Sequence, residues 1–278
     1  MVNVVYKKQD GSQGHQLADS RSKKKAFPDV VGVIPMAGRA SRLPGLPCSK
    51  EIFPVGFVDA GDGHERRPVA VCEHLLGNLQ TAGIEDVYVI IRDGKWDIPA
   101  YLGDGSRLGL HLAYLMMGAP WGTPYSVDQA YPFVRDRRVA LGFPDMCFDN
   151  RQIFTGLLEH QQASNADVVL GTFPGDRPHK TDMIELGDDH LVKQIIVKPG
   201  ASNLRHTWGV AVWTPAFTEF LHTFLASRQH TAGEAPELFV GDVVRAGMQA
   251  GLDVQGVQVS AQPFVDIGTW EDLQRTSK

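Results

Sequence analysis

The residues Pro35-Met36-Ala37-Gly38-Arg39-Ala40-Ser41-Arg42-Leu43 combine small side chains with two arginines. Small residues let successive backbone N–H groups approach an anion, and Arg39 and Arg42 add fixed positive charge. Lys50 follows within Ser49-Lys50-Glu51-Ile52-Phe53-Pro54-Val55. A triphosphate carries several negative charges, so loop amides joined by Arg and Lys are the groups it requires. The segment is neither the GxxxxGK(S/T) phosphate loop nor the dinucleotide fingerprint GxGxxG. Taken alone, it reads equally well as a Gly/Pro surface turn with incidental arginines.

Such a loop needs rigid elements behind it. Residues 30–34 are an apolar run that stops at the loop, which predicts a buried strand. Residues 69–80 carry apolar side chains at helical spacing, with Gly83 placed as the C-terminal stop, and residues 87–91 predict a second buried strand. Strand, helix, strand in this order implies a parallel pair with a crossover helix. Further strands are predicted over residues 139–142, 168–173, 191–197, 210–213 and 254–259, and helices over 153–161, 216–226 and 242–250. There is no internal repeat and no linker, so residues 29–278 read as one α/β domain. Residues 1–28 hold six basic side chains against two acidic ones and little apolar periodicity. They read as a flexible arm, with Lys23, Lys24 and Lys25 a solvated leader rather than a phosphate or partner contact. Met116, Met117, Trp208 and Trp213 read as core.

Composition excludes several classes. The 278 residues are 43% hydrophobic with a net charge of −5. The longest apolar runs fall far short of the roughly 20 residues of a membrane helix, and the first 28 residues hold no apolar signal region. Cys48, Cys72 and Cys147 form no CxxC pair, so neither a disulfide framework nor a structural zinc site is expected. A cytoplasmic protein fits this cysteine usage. Mild acidity argues against nucleic acid as a partner.

Five ordered motifs resemble those of the sugar nucleotidyltransferases, whose N-terminal signature reads roughly LAAGxGTRLxPxTxxxPKxLxPV. The loop through Leu43 and the stretch Lys50 to Val55 match it, with Ala40 at the second Gly and Ser49 at the Pro before the Lys. Tyr101-Leu102-Gly103-Asp104-Gly105-Ser106 with Gly109 resembles the GDGSxxG stretch, and Pro120-Trp121-Gly122-Thr123 the PxGTA loop. Val197-Lys198-Pro199 stands where the family has EKP, and Val265-Asp266-Ile267-Gly268-Thr269 begins a stretch close to DIGTxEDL. The resemblance covers about residues 30–275. It implies a Rossmann-like three-layer α/β sandwich around a mixed, mostly parallel sheet. It also implies that a sugar 1-phosphate attacks the α-phosphorus of an NTP, dTTP or UTP foremost, and that pyrophosphate leaves.

The resemblance assigns roles residue by residue. Arg42, Lys50 and Lys198 would be catalytic. Ala37, Gly38, Arg39, Ala40, Ser41, Met117, Pro120, Gly122 and Thr123 would face the nucleotide. Asp182, Val197, Lys198 and Gly209 would face the sugar phosphate, and Asp145 and Asp266 would hold Mg²⁺. The alternative for either aspartate is an ordinary turn or cap residue. The partners implied are an NTP and a sugar 1-phosphate, with no membrane and room for a homo-oligomer. The departures lie at the base and the sugar. Met117 replaces a base-reading Gln, Val197 replaces the Glu of EKP, and Asp182 replaces a Gly. An acceptor other than plain glucose 1-phosphate is therefore expected. Two further readings keep the same loop: a cytidylyltransferase for a non-sugar phosphate or phosphonate, and a non-catalytic sensor of nucleotide or sugar phosphate.

Overall fold

Val30, Val31, Val33 and Ile34 alternate between two faces of one strand, and each face meets its own layer of helices. In the computed structural model, which describes residues 26–59, 66–118, 121–228 and 237–276, this strand is β1 (Val30–Pro35). In chain order there follow β2 (Pro54–Asp59), β3 (Arg66–Ala70), α1 (Val71–Thr81), β4 (Asp86–Arg92), α2 (Asp97–Leu102), β5 (His111–Met117), α3 (Thr123–Asp128) and α4 (Tyr131–Val134). The second half holds β6 (Arg138–Gly142), β7 (Met146–Cys147), α5 (Ile153–Ser164), β8 (Val168–Pro174), β9 (Met183–Leu186), β10 (Val192–Ile196), β11 (His206–Trp213), α6 (Pro215–Ala226), α7 (Val240–Gln249), β12 (Val254–Gln258), β13 (Val265–Asp266) and α8 (Trp270–Thr276).

A nine-stranded sheet runs β10-β9-β11-β6-β1-β4-β5, and β8 branches from β11 to carry β12. Strands β1, β4, β5 and β6 are mutually parallel, β11 opposes β6, β8 and β9, and β10 opposes β9. With β12 parallel to β8, only β10 and β11 run against the rest, so the sheet is mixed and mostly parallel. Val30 and Ile34 pack with Leu75, Leu79, Phe154 and Leu158 from α1 and α5. Val31 and Val33 pack with Tyr125, Phe217, Leu221 and Val243 from α3, α6 and α7. This is the three-layer sandwich the sequence resemblance implies.

The sheet order decides where a ligand can sit. The chain leaves β1 toward β4 and β5 on one side, then returns to place β6 on the other. Such a switch of direction opens a crevice at the carboxyl ends of β1 and β6. The loop beginning at Pro35 and the loop beginning at Phe143 both lie there.

Several boundaries differ from expectation. Residues 69 and 70 belong to β3, because they pair with β2 at Gly56 and Pro54, so α1 begins at Val71. Its C-terminus is the expected glycine stop: Gly83 has φ +75°, and Gly83 and Ile84 donate back to the Gln80 and Leu79 carbonyls at 2.9 and 3.0 Å. The sequence pattern does not reveal β2, β5 or β9. Strand β5 is the sheet edge, so Met116 is exposed whereas Met117 is buried. Trp208 and Trp213 are buried as expected. Residues 1–25 of the expected arm lie outside the described residues, but Phe27 is buried in the core with Arg138 over its ring. Among the described residues no helix is long and apolar enough to cross a membrane.

Candidate active site

The loop after β1 is held at both ends. The Met36 N–H donates to the Ile90 carbonyl at 2.7 Å, and Arg92 Nε donates to the Ala37 carbonyl at 3.1 Å. At the far end Leu43 is buried with Val71, Ile267 and Leu273 in a satellite cluster beneath the loop. Between these anchors Ala40 has φ +49°, a left-handed conformation that costs a residue with a Cβ about 1–2 kcal/mol. The family pattern has Gly at this position, so Ala40 adopts the glycine geometry at a cost. Ala37, Gly38, Arg39, Ala40, Ser41 and Arg42 all line a cleft of about 670 Å³.

The chain then brings the two acids together. After β6, Phe143-Pro144-Asp145 turns into β7, which pairs with β13 so that Met146 faces Asp266. The Ile267 N–H donates to the Asp145 carbonyl at 2.9 Å. This short ribbon sets the Asp145 and Asp266 carboxyl groups against each other. Lys50, on a 3₁₀ turn over Lys50–Ile52, donates to Asp145 Oδ2. Burial opposes the charge on Lys50, yet Asp145 and Glu51 outweigh it and raise the ammonium pKa to about 12. Burial disfavours the Asp145 carboxylate as well, but Lys50 holds its pKa below the usual range. Asp266 is pushed the other way, first by burial and then by the Asp145 charge beside it.

Two hard carboxylates are what the chain offers a cation here. Among the described residues no group of three or more His, Cys, Asp or Glu is arranged to hold a metal. Burial raises the nearby Cys147 thiol to about 12, so it supplies no thiolate. One or two carboxylates, with remaining positions left to phosphate and water, is the donor set that suits Mg²⁺.

The same cleft carries Lys198, another non-glycine residue at positive φ, +39°. Its Nζ lies 3.3 Å from the centroid of the Phe239 ring. Burial lowers its pKa, offset in part by Asp182 and Glu237. Asp182 is buried, accepts a bond from Trp208 Nε1 at 3.1 Å, and its Oδ1 has no hydrogen-bond partner among the described residues. Burial raises its pKa to about 6. Since the unfolded value is near 3.8, the folded state is relieved of this cost below pH 4 and loses stability as pH rises through 6. The shift corresponds to about 3 kcal/mol. Asp182→Asn should remove that loss, and unfolding titrations of both proteins between pH 4 and 8 measure the difference.

Gly122 and Thr123 reach the cleft at the start of α3. Gly122 has φ +128°, and a Cβ there would sit 2.5 Å from the Leu238 carbonyl oxygen. Gly122→Ala should therefore destabilise by roughly 2–4 kcal/mol, read as a lower midpoint in denaturant unfolding.

Three assigned positions do not line the cleft. Met117 is buried and its Sδ accepts the Ser126 hydroxyl at 3.1 Å, so Ser126 stands at the cleft in its place. Val197 packs against the second helical layer. Gly209 leaves room for Met146, Phe264 and Phe173, which a Cβ would meet at 3.0–3.4 Å. Pro120 lies outside the described residues. In turn, the cleft includes His179, Lys180, Thr181, Glu237 and Phe239, of which only Thr181 stands beside a position the resemblance singles out, Asp182. Lys180 is placed by Asp272, whose buried carboxylate accepts from Lys180 Nζ, Arg177 Nη1 and the Thr269 hydroxyl at 2.7–3.1 Å. Asp272 lies in the terminal motif and, with Asp182 two residues beyond Lys180, is a sequence signal for that loop.

The protein is a doubly wound α/β protein whose cationic loop and acid pair stand at the switch point, where such folds bind their ligands. The sequence model of the nucleotidyl transferase family matches residues 32–278, and the chain belongs to that family. It is 25% identical over 249 residues to the low-salt glycan biosynthesis nucleotidyltransferase Agl11 of Haloferax volcanii, covering 88% of this chain and 64% of that one. It is 27% identical to a glucose-1-phosphate thymidylyltransferase of Streptomyces griseus, covering 71% of this chain and 52% of the relative. The chain thus spans between half and two thirds of these relatives' length. A Bacillus anthracis protein assigned as a glucose-1-phosphate thymidylyltransferase, solved with sucrose, has the same fold. Its TM-score is 0.74 at 18% identity, covering 89% of this chain and 94% of that one.

Proposed function

We propose that the protein transfers a nucleotidyl group from an NTP, dTTP or UTP foremost, to a sugar 1-phosphate, releasing pyrophosphate with Mg²⁺ as cofactor. The observation that carries this reading is the convergence of Arg42, Lys50, Lys198, Asp145 and Asp266 on one cleft. The loop from Ala37 to Arg42 offers amides and a guanidinium to the triphosphate. Lys50 and Lys198 bring ammonium groups to the attacking and transferring phosphates. No covalent nucleophile is needed, because such transfers depend on positioning and charge neutralisation. Asp145 and Asp266 would hold the Mg²⁺, which when bound neutralises developing charge on phosphate oxygens. Lys50 is the counter-charge of Asp145 in the present arrangement, so it can exchange that carboxylate for a phosphate.

The acceptor end supports a departure from plain glucose 1-phosphate. Val197 does not reach the cleft, whereas Asp182, Trp208, Glu237 and Phe239 do. A carboxylate beside aromatic faces in the cleft lining suits hydroxyls of a modified sugar. It also suits a cationic group, which favours the second reading, a cytidylyltransferase for a non-sugar phosphate. Three free cysteines suit a reducing, cytoplasmic setting.

The test is pyrophosphate release, crossing the four NTPs and dTTP with sugar 1-phosphates and choline phosphate, in Mg²⁺ and in EDTA. Release with a sugar 1-phosphate, lost in EDTA, is expected. Release with choline phosphate alone selects the second reading. Nucleotide binding in calorimetry without release from any pair overturns both and leaves a sensor.

A further inference from the structure

The turn that carries Lys50 is too short to hold itself. It spans three residues and has no side-chain cap. Its own bonds are Ile52 N–H to Ser49 O at 3.1 Å and Phe53 N–H to Lys50 O at 3.2 Å. Isolated 3₁₀ turns of this length have little intrinsic stability. Both neighbours of Lys50 are instead gripped from one place, the start of α2. Asp97 accepts the Ser49 backbone N–H at 2.6 Å through Oδ2 and the Ser49 hydroxyl at 2.8 Å through Oδ1. Lys95 Nζ donates to both oxygens of Glu51 at 2.6 and 2.7 Å.

We propose that Lys95 and Asp97 are positioning residues that clamp Ser49 and Glu51 and so fix the Lys50 ammonium in the cleft. The catalytic part of this proposal rests on the transferase reading; the structural part does not.

Two features distinguish a clamp from ordinary packing. The first is Ser49 itself. The family pattern has Pro here, and Pro has no N–H to donate. The two-point grip by Asp97 exists because the residue is not Pro, which gives a physical meaning to a departure from the motif. The second is the Glu51–Lys95 pair, 1% and 5% exposed at the side chains. Burial pushes Glu51 up and Lys95 down, each toward its neutral form. A buried ion pair of this kind adds no more stability than well-packed apolar residues would, and often less. What it adds is a fixed direction: one ammonium centred on one carboxylate beside Lys50. Breaking either grip frees one side of the turn and lets the Lys50 Nζ leave Asp145.

The experiment uses the full chain and reads Lys50 directly. Wild type, Asp97→Asn, Ser49→Ala and the double variant Glu51→Met/Lys95→Met are labelled with limiting acetic anhydride, and each lysine is quantified by mass spectrometry. Asp97→Asn replaces an acceptor by an amide donor facing the Ser49 donors. Ser49→Ala loses one bond of two, so it serves as the reading if Asp97→Asn does not fold. The apolar double variant is expected to keep its unfolding midpoint. Lys50 should label several-fold faster in each folded variant, with lysines distant from the turn unchanged. In the pyrophosphate assay kcat should fall roughly ten- to a hundredfold with KM little changed, the mark of a misplaced group. Unchanged Lys50 labelling in folded Asp97→Asn or, failing that, folded Ser49→Ala overturns the clamp whatever the double variant shows, because losing the Glu51 charge by itself makes Lys50 more reactive. A wild type without turnover sinks the transferase reading while the labelling still decides the clamp.

Discussion

Asp145→Asn and Asp266→Asn are each expected to lower pyrophosphate release on the order of a thousandfold, yet to move stability in opposite directions. The activity loss has one cause. Asn keeps the shape but removes the charge, and the stabilisation a bound cation lends to phosphate charge is several kcal/mol, or about three decades in rate. The stability effects come from what each carboxylate meets without the cation. Asp145 is paired to Lys50, which holds its pKa below the normal range. That stability is present above the unfolded pKa and lost as pH falls through the folded one. Asp145→Asn leaves the Lys50 ammonium without its partner, a loss of about 3 kcal/mol at pH 8. Asp266 has a raised pKa, so its ionised form destabilises the fold at pH values above that pKa. Asp266→Asn should therefore raise the unfolding midpoint in Mg²⁺-free buffer at pH 8. Thermal unfolding beside the release assay measures both effects. Equal loss of stability in both variants would contradict the opposed environments described here.

Arg42→Ala should cost roughly a thousandfold in kcat, within the range known for a guanidinium placed on a transferring phosphate. Arg42 is exposed at the cleft, and its Nη2 lies 3.4 Å from the point a Cβ on Gly268 would occupy. The side chain thus reaches the loop beside Asp266, where the transferring phosphate would sit. Because it is exposed, its removal should leave the unfolding midpoint nearly unchanged, unlike Asp145→Asn. Arg42→Lys should recover only part of the rate, since one ammonium replaces a planar fork with several donors. Full activity in Arg42→Lys would assign the residue a purely Coulombic role. Steady-state kcat and KM for wild type and both variants distinguish these outcomes.

Local chemistry in the chain already marks much of this protein. The apolar run of β1, the helical spacing of α1 with its Gly83 stop, and the small-residue loop with its arginines are contiguous patterns. Each is dictated by backbone geometry and burial over a few residues, and so each can be read in order along the chain. The order of the motifs likewise fixes which strands precede which helices. The hairpin of β2 and β3 and the edge strand β5 are not legible in this way. Their apolar faces are incomplete, because each is covered on one side at most.

The site's chemistry, by contrast, exists only in three dimensions. Asp145 and Asp266 are distant in sequence, and a two-stranded ribbon makes them one acidic pair whose pKa values are displaced in opposite directions. Lys180 reaches the cleft because Asp272 holds it there, and Phe239 lies under Lys198 because α7 starts beside the turn that follows β10. Ser49, a mismatch on paper, becomes half of a clamp once Asp97 is seen opposite its N–H. Met117 stands in a motif position but turns into the core. Which residue types are present is a property of the chain. Which of them share a desolvated space, and therefore shift one another's charge, depends on distances of a few ångströms that only the packed sheet and its crossovers create.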